Sequence, residues 1–157
     1  MTSGFPGAAR RRGGPPPGSP RDTVVVLRPD TPASPELLGA ARRAGGPVTV
    51  VAILRVHGFA FGLPNPGLLP TRSERSRAEE AVASTLAGLR KAGVEADGQI
   101  VVTRKATKAI AGIVHRRGAR QVLMEQPVGG RLRRLVEGDP VRALARRVKH
   151  TATVETA

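Results

Sequence analysis

A short apolar run, Gln121-Val122-Leu123-Met124, is followed by Gly129 and Gly130, by three arginines (Arg131, Arg133 and Arg134), and then by Gly138-Asp139-Pro140 ahead of a helical pattern. A buried strand, a glycine-bearing loop and a helix N-terminus in that order form a cradle for phosphate: glycines let backbone N–H groups approach the anion, and the helix dipole favours negative charge. Carboxylates flank this cradle on both sides, at Glu125 and at Asp139. Each residue also has a plainer reading. Gly138 serves as a turn, Asp139 as the cap of the helix that Pro140 begins, and the arginines as a solvated loop edge.

Catalytic chemistry has little else to draw on. The chain has no cysteine, which excludes disulfides, thiol nucleophiles and thiolate metal sites. His57, His115 and His150 lie far apart without carboxylates at ligand spacing, so no metal site is expected. His115, on a helix, reads as a surface residue. No general base or nucleophile accompanies the glycine loop, so no catalytic residue is assigned. An enzyme is not expected, and at most slow nucleotide hydrolysis is.

The elements that must position the loop follow from hydrophobic period and caps. Thr23–Leu27 reads as a β-branched strand ending at Arg28-Pro29-Asp30. Ser34 and Pro35 open a helix that Gly45-Gly46 closes, and Val48–Val56 is a continuously apolar strand of the kind buried on both faces of a parallel sheet. A long loop, His57–Pro70, follows. Thr71 and Glu74 have capping-box spacing ahead of a helix whose face is Ala78, Ala81, Val82, Thr85, Leu86 and Leu89, closed by Gly93. Gln99–Thr103 is a third strand. Thr107, Ile110, Ala111 and Val114 line a helix that stops at Gly118, and Gln121–Met124 is the fourth strand. The last helix carries Val141, Leu144, Ala145 and Val148, and Thr151–Thr156 is the fifth strand. This alternation predicts an α/β fold, a three-layer sandwich with a five-stranded parallel sheet.

The 157 residues suit one domain, placed at 22–157, behind a Gly/Pro/Arg-rich basic tail over 1–21 that has almost nothing to bury. A formal charge of +14 favours weak, non-specific contact with nucleic acid, but three Phe with no Trp or Tyr give little for base stacking. No apolar run is long enough to span a bilayer, and Arg10-Arg11-Arg12 lacks the apolar region an export signal needs. A cytoplasmic protein without membrane contact is expected.

From Thr23 to Thr156 the chain resembles the universal stress protein family. The resemblance is carried by the first-strand end with Asp30, the Pro-rich loop after strand two, Arg90-Lys91-Ala92-Gly93-Val94, the run Gly118–Met124, and Leu132–Gly138. It implies an adenine-nucleotide-type α/β sandwich, usually dimeric through the last strand, here Thr151–Thr156, with Asp30 beside the nucleotide. Nucleotide-binding members carry Gly, two spacers, Gly, nine spacers, then Gly followed by Ser or Thr. Setting the last glycine on Gly138 places Glu125, Val128 and Asp139 at the other motif positions. Like charges roughly 4 Å apart repel by about 4 kcal/mol at an effective dielectric of about 20. The expectation is therefore a dimeric regulatory or interaction protein without tight ATP binding and with no obligatory cofactor. The alternative is ATP, with magnesium, or another nucleotide, held by a rearranged loop through Asp30, Gly129, Gly130, Gly138 and Asp139. A second alternative is non-specific nucleic-acid association through the basic residues.

Overall fold

The computed structural model describes residues 21–56, 69–125 and 140–157. Among these residues five strands alternate with four helices: β1 (Arg21–Leu27), α1 (Pro35–Ala44), β2 (Gly45–Arg55), α2 (Arg72–Lys91), β3 (Ala96–Thr103), α3 (Ala106–Arg117), β4 (Gln121–Met124), α4 (Pro140–Val148) and β5 (Thr153–Thr156). All strands are parallel, in the order β3-β2-β1-β4-β5. The predicted α/β sandwich is therefore present. The tail assigned to 1–21 lies, apart from Arg21, outside the described residues, and so does most of the loop assigned to 57–70.

Strand bounds differ from the sequence reading in both directions, some strands beginning earlier and the last beginning later. β2 begins at Gly45 and β3 at Ala96, earlier than their apolar patterns, because backbone pairing extends past the apolar residues: Arg21 pairs with Gly45, and Val48 with Ala96. The last strand begins later, at Thr153. Thr151 and Ala152 instead donate their backbone N–H groups to the carbonyl of Val148, at 2.7 and 2.8 Å, and so finish the turn after α4.

β1 is the centre of the sheet, and its alternation divides the core. Val25 and Leu27 face α1 and α2, where Leu37, Ala41, Ala78, Val82 and Leu89 complete one buried cluster. Val24 and Val26 face α3 and α4, against Ile110, Ile113, Val114, Leu144 and Val148. Each fully buried Val, Leu or Ile contributes about 1.5–3 kcal/mol over an exposed one.

Local chemistry fixes the helix ends. The side chain of Ser34 accepts from the N–H of Leu37, and Thr71 with Glu74 forms the complete capping box. α3 stops at Gly118, whose φ of 64° is the left-handed conformation that a β-carbon disfavours. Gly98 has a different reason. A Cβ there would stand 2.5 Å from a methyl of Val82, so its absence lets α2 lie close on β3.

Candidate functional site

Parallel strands send every carboxyl end to one edge of the sheet. The chain runs outward from β1 through β2 to β3 and then crosses back to β4 on the other side of β1. The crevice outside such a reversal is where open α/β sheets accept ligands. A cleft of about 520 Å³ occupies it here. Its apolar floor is Val26, Ile53, Ile110, Met124 and Leu144.

Among the described residues three cations reach this cleft: Arg28 follows β1, Arg55 ends β2, and Arg77 stands on α2. Asp30 also lines it, at its exposed rim, with the guanidinium of Arg28 3.8 Å away and the hydroxyl of Thr31 donating at 3.2 Å. Glu74, the other carboxylate of the lining, is held by the capping box, where it accepts from the N–H of Thr71 at 2.7 Å. The N-terminus of α3 opens on the same space through Ala106 and Thr107. Its N-cap position is Lys105, which makes no side-chain cap bond, and no acidic residue sits in the first turn. The lining therefore combines an apolar floor, three guanidiniums and an uncapped helix end, a set suited to an anionic ligand with an apolar or aromatic part.

Of the residues singled out from sequence, Asp30 is at this cleft, and so is Pro140, the first residue of α4. Gly129, Gly130, Gly138 and Asp139 lie outside the described residues, as do Arg131, Arg133 and Arg134. Glu125 is described, and its carboxylate turns toward α1, accepting the backbone N–H of Ser34 at 2.9 Å. It is not among the residues lining the cleft. The sequence argument placed this charge beside a triphosphate. The structure instead seats it at the positive end of a helix, joining two segments 91 residues apart.

The three cleft arginines were not identified from sequence. The available signal was that Arg28 and Arg55 each follow the last apolar residue of a buried parallel strand, the position that faces ligand in this architecture. His115 is exposed near the C-terminal end of α3, with Nδ1 3.5 Å from the hydroxyl of Thr151. Among the described residues no group of His, Asp or Glu side chains is arranged to hold a metal ion, and no helix is long and apolar enough to cross a membrane.

Solved structures share this architecture. The universal stress protein of Archaeoglobus fulgidus in complex with dAMP superposes with a TM-score of 0.57 at 19% identity, over 87% of this chain and 96% of that one. The fold is that of the universal stress proteins. A universal stress protein in complex with cAMP gives a TM-score of 0.58 at 13% identity, over 87% of this chain and 96% of that one. Universal stress protein UspA from Lactobacillus plantarum gives 0.62 at 10% identity, over 86% and 97%. No protein-family model and no curated protein matches the sequence. The likeness to universal stress proteins thus lies in strand order and layer arrangement, at identities that carry the fold alone.

Proposed function

We propose that this chain is a regulatory module of universal-stress type, which binds a small phosphorylated ligand in the β1/β4 cleft, holds ATP weakly, and does not turn its ligand over. The supporting observation is the convergence of Arg28, Arg55 and Arg77 on one apolar-floored cleft at the carboxyl edge of the sheet. A nucleoside monophosphate matches that lining: its base fits the apolar floor and its phosphate the guanidiniums. The fold neighbours crystallised with dAMP and cAMP are consistent with that ligand size.

Weak ATP binding follows from position 125. Where nucleotide-binding members have a glycine, this chain has a side chain anchored to Ser34, and a backbone N–H approach to a longer phosphate chain is correspondingly restricted. A reading without turnover is supported by the engagement of the carboxylates that line the cleft among the described residues: Asp30 with Arg28 and Thr31, Glu74 with the cap of α2. Dimerisation through β5 belongs to the same reading. This four-residue strand is an edge of the sheet, and a second copy would cover it.

Calorimetric titration at moderate salt tests the proposal. AMP is expected to bind saturably at one site and more tightly than Mg-ATP, and Arg55→Glu is expected to weaken AMP about tenfold, roughly one charge-assisted contact, while thermal stability stays within about 0.5 kcal/mol. Micromolar ATP binding with phosphate release would replace this reading with that of a nucleotide hydrolase. Absence of binding by both nucleotides would remove the ligand.

A further inference from the structure

The far edge of the sheet carries a second concavity, remote from β5. A groove of about 820 Å³ runs between α3 and the outer edge of β3. It exists because α3 presents Ala109 and Gly112 there, side chains too small to fill the space. Its apolar surface includes the half-buried Val101 together with Leu69 and Val102, the two large hydrophobic residues that stand exposed, at 54% and 37%, among the described residues. Its rim carries Arg104, Lys105, Lys108 and Arg116, and among the described residues no carboxylate lines it.

We infer that this groove docks an acidic, amphipathic segment of another protein, lying extended along β3. Charge complementarity selects the occupant. A second copy of this chain meeting the groove edge to edge would set like rims against each other, which repels. A nucleic acid would find the cations but, among the described residues of the lining, no aromatic side chain on which to stack. An extended peptide with alternating apolar and acidic residues satisfies all three features. Its backbone adds to the free edge of β3, one set of side chains covers Leu69 and Val102, and the acidic set, on the α3 side, meets Lys105, Lys108 and Arg116. Because β3 and β5 are opposite edges of the sheet, such a partner leaves β5 accessible.

The test is fluorescence anisotropy with a labelled synthetic peptide of about ten residues that alternates leucine and glutamate, against a control of equal charge that alternates serine and glutamate. The leucine peptide is expected to bind saturably and the control at least about tenfold more weakly. Gly112→Leu should occupy the groove and lower the peptide's affinity about tenfold or more. The added side chain first meets the tip of Arg116, 3.3 Å from a Cβ at that position, and leucine favours helix over glycine, so the fold is kept. Lys108→Glu, at an exposed position, should weaken binding to a similar degree. Equal binding of the two peptides, unchanged affinity in Gly112→Leu, or no saturable binding of the leucine peptide would each overturn the inference. A double-stranded oligonucleotide competing as well as the leucine peptide would do the same and assign the rim to nucleic acid.

Discussion

The two helical layers bury apolar faces against the same sheet but differ in how they end and what they expose. In the α1/α2 layer both N-termini are closed by side chains, Ser34 and the Thr71–Glu74 box, and the helices carry Glu36, Glu74, Glu79 and Glu80 among their arginines. Polar ties bind this layer to its surroundings. Thr85, buried, accepts the N–H of Ala33 at 3.0 Å and donates to the carbonyl of Ala81 at 2.8 Å, while Glu125 reaches Ser34. The α3/α4 layer has no acidic residue in either helix, and α3 starts at Lys105 without a side-chain cap. One layer closes its own helix N-termini. The other opens the uncapped N-terminus of α3 on the cleft and sets Lys108 and Arg116 on the rim of the β3 groove, where an anion or an acidic segment can complete them. In this fold, capping a helix and offering its end to a ligand are alternative uses of the same N–H groups.

That contrast concerns polar chemistry and not packing, and the largest expected effects test this. Leu37→Ala and Leu144→Ala each remove a fully buried anchor, one per layer, and each should cost about 2–5 kcal/mol in urea unfolding. A loss confined to Leu37→Ala would show that α4 contributes little to the core. Next in size is Thr85→Val, which leaves the N–H of Ala33 unpaired and should cost about 1–3 kcal/mol. Thr151→Val in the other layer removes only a long, exposed contact to His115 and should stay within about 0.5 kcal/mol. Similar losses at Thr85 and Thr151 would erase the distinction. The smallest effect is the sharpest. Lys105→Ser gives α3 the cap it lacks and should raise stability by about 0.5–1 kcal/mol while weakening AMP, because the new hydroxyl takes up a donor that the ligand would use. A gain in both stability and affinity would break the proposed exchange between cap and ligand.

Sequence showed what is local. Ser34 with Pro35, the Thr71–Glu74 box, and the stops at Gly93 and Gly118 are each fixed by residues within one turn, and all are present. The start of β3 was not legible, since Ala96–Gly98 pair through the backbone while their side chains carry no apolar signal. The cleft was legible only in part. Asp30 was placed by resemblance, whereas Arg28, Arg55 and Arg77 become neighbours of one space only once β1, β2 and α2 are assembled. The bond from Ser34 to Glu125 was hidden for the same reason: no pattern in either segment reports a partner 91 residues away.

Strand order has a consequence for how the chain is made. β1 lies inside the sheet, yet β2 and β3 follow it on one side, and its other neighbour, β4, comes only after α3. During synthesis the edge of β1 that carries the Thr23–Val26 pairings stays open until residues 121–124 emerge. From the end of β3 at Thr103 to the end of β4 at Met124 is 21 residues, which takes roughly one to four seconds at about 5–20 residues per second. Through that interval the nascent chain presents Val24 and Val26 beside an unpaired backbone, its most aggregation-prone moment, and the arrival of β4 ends it.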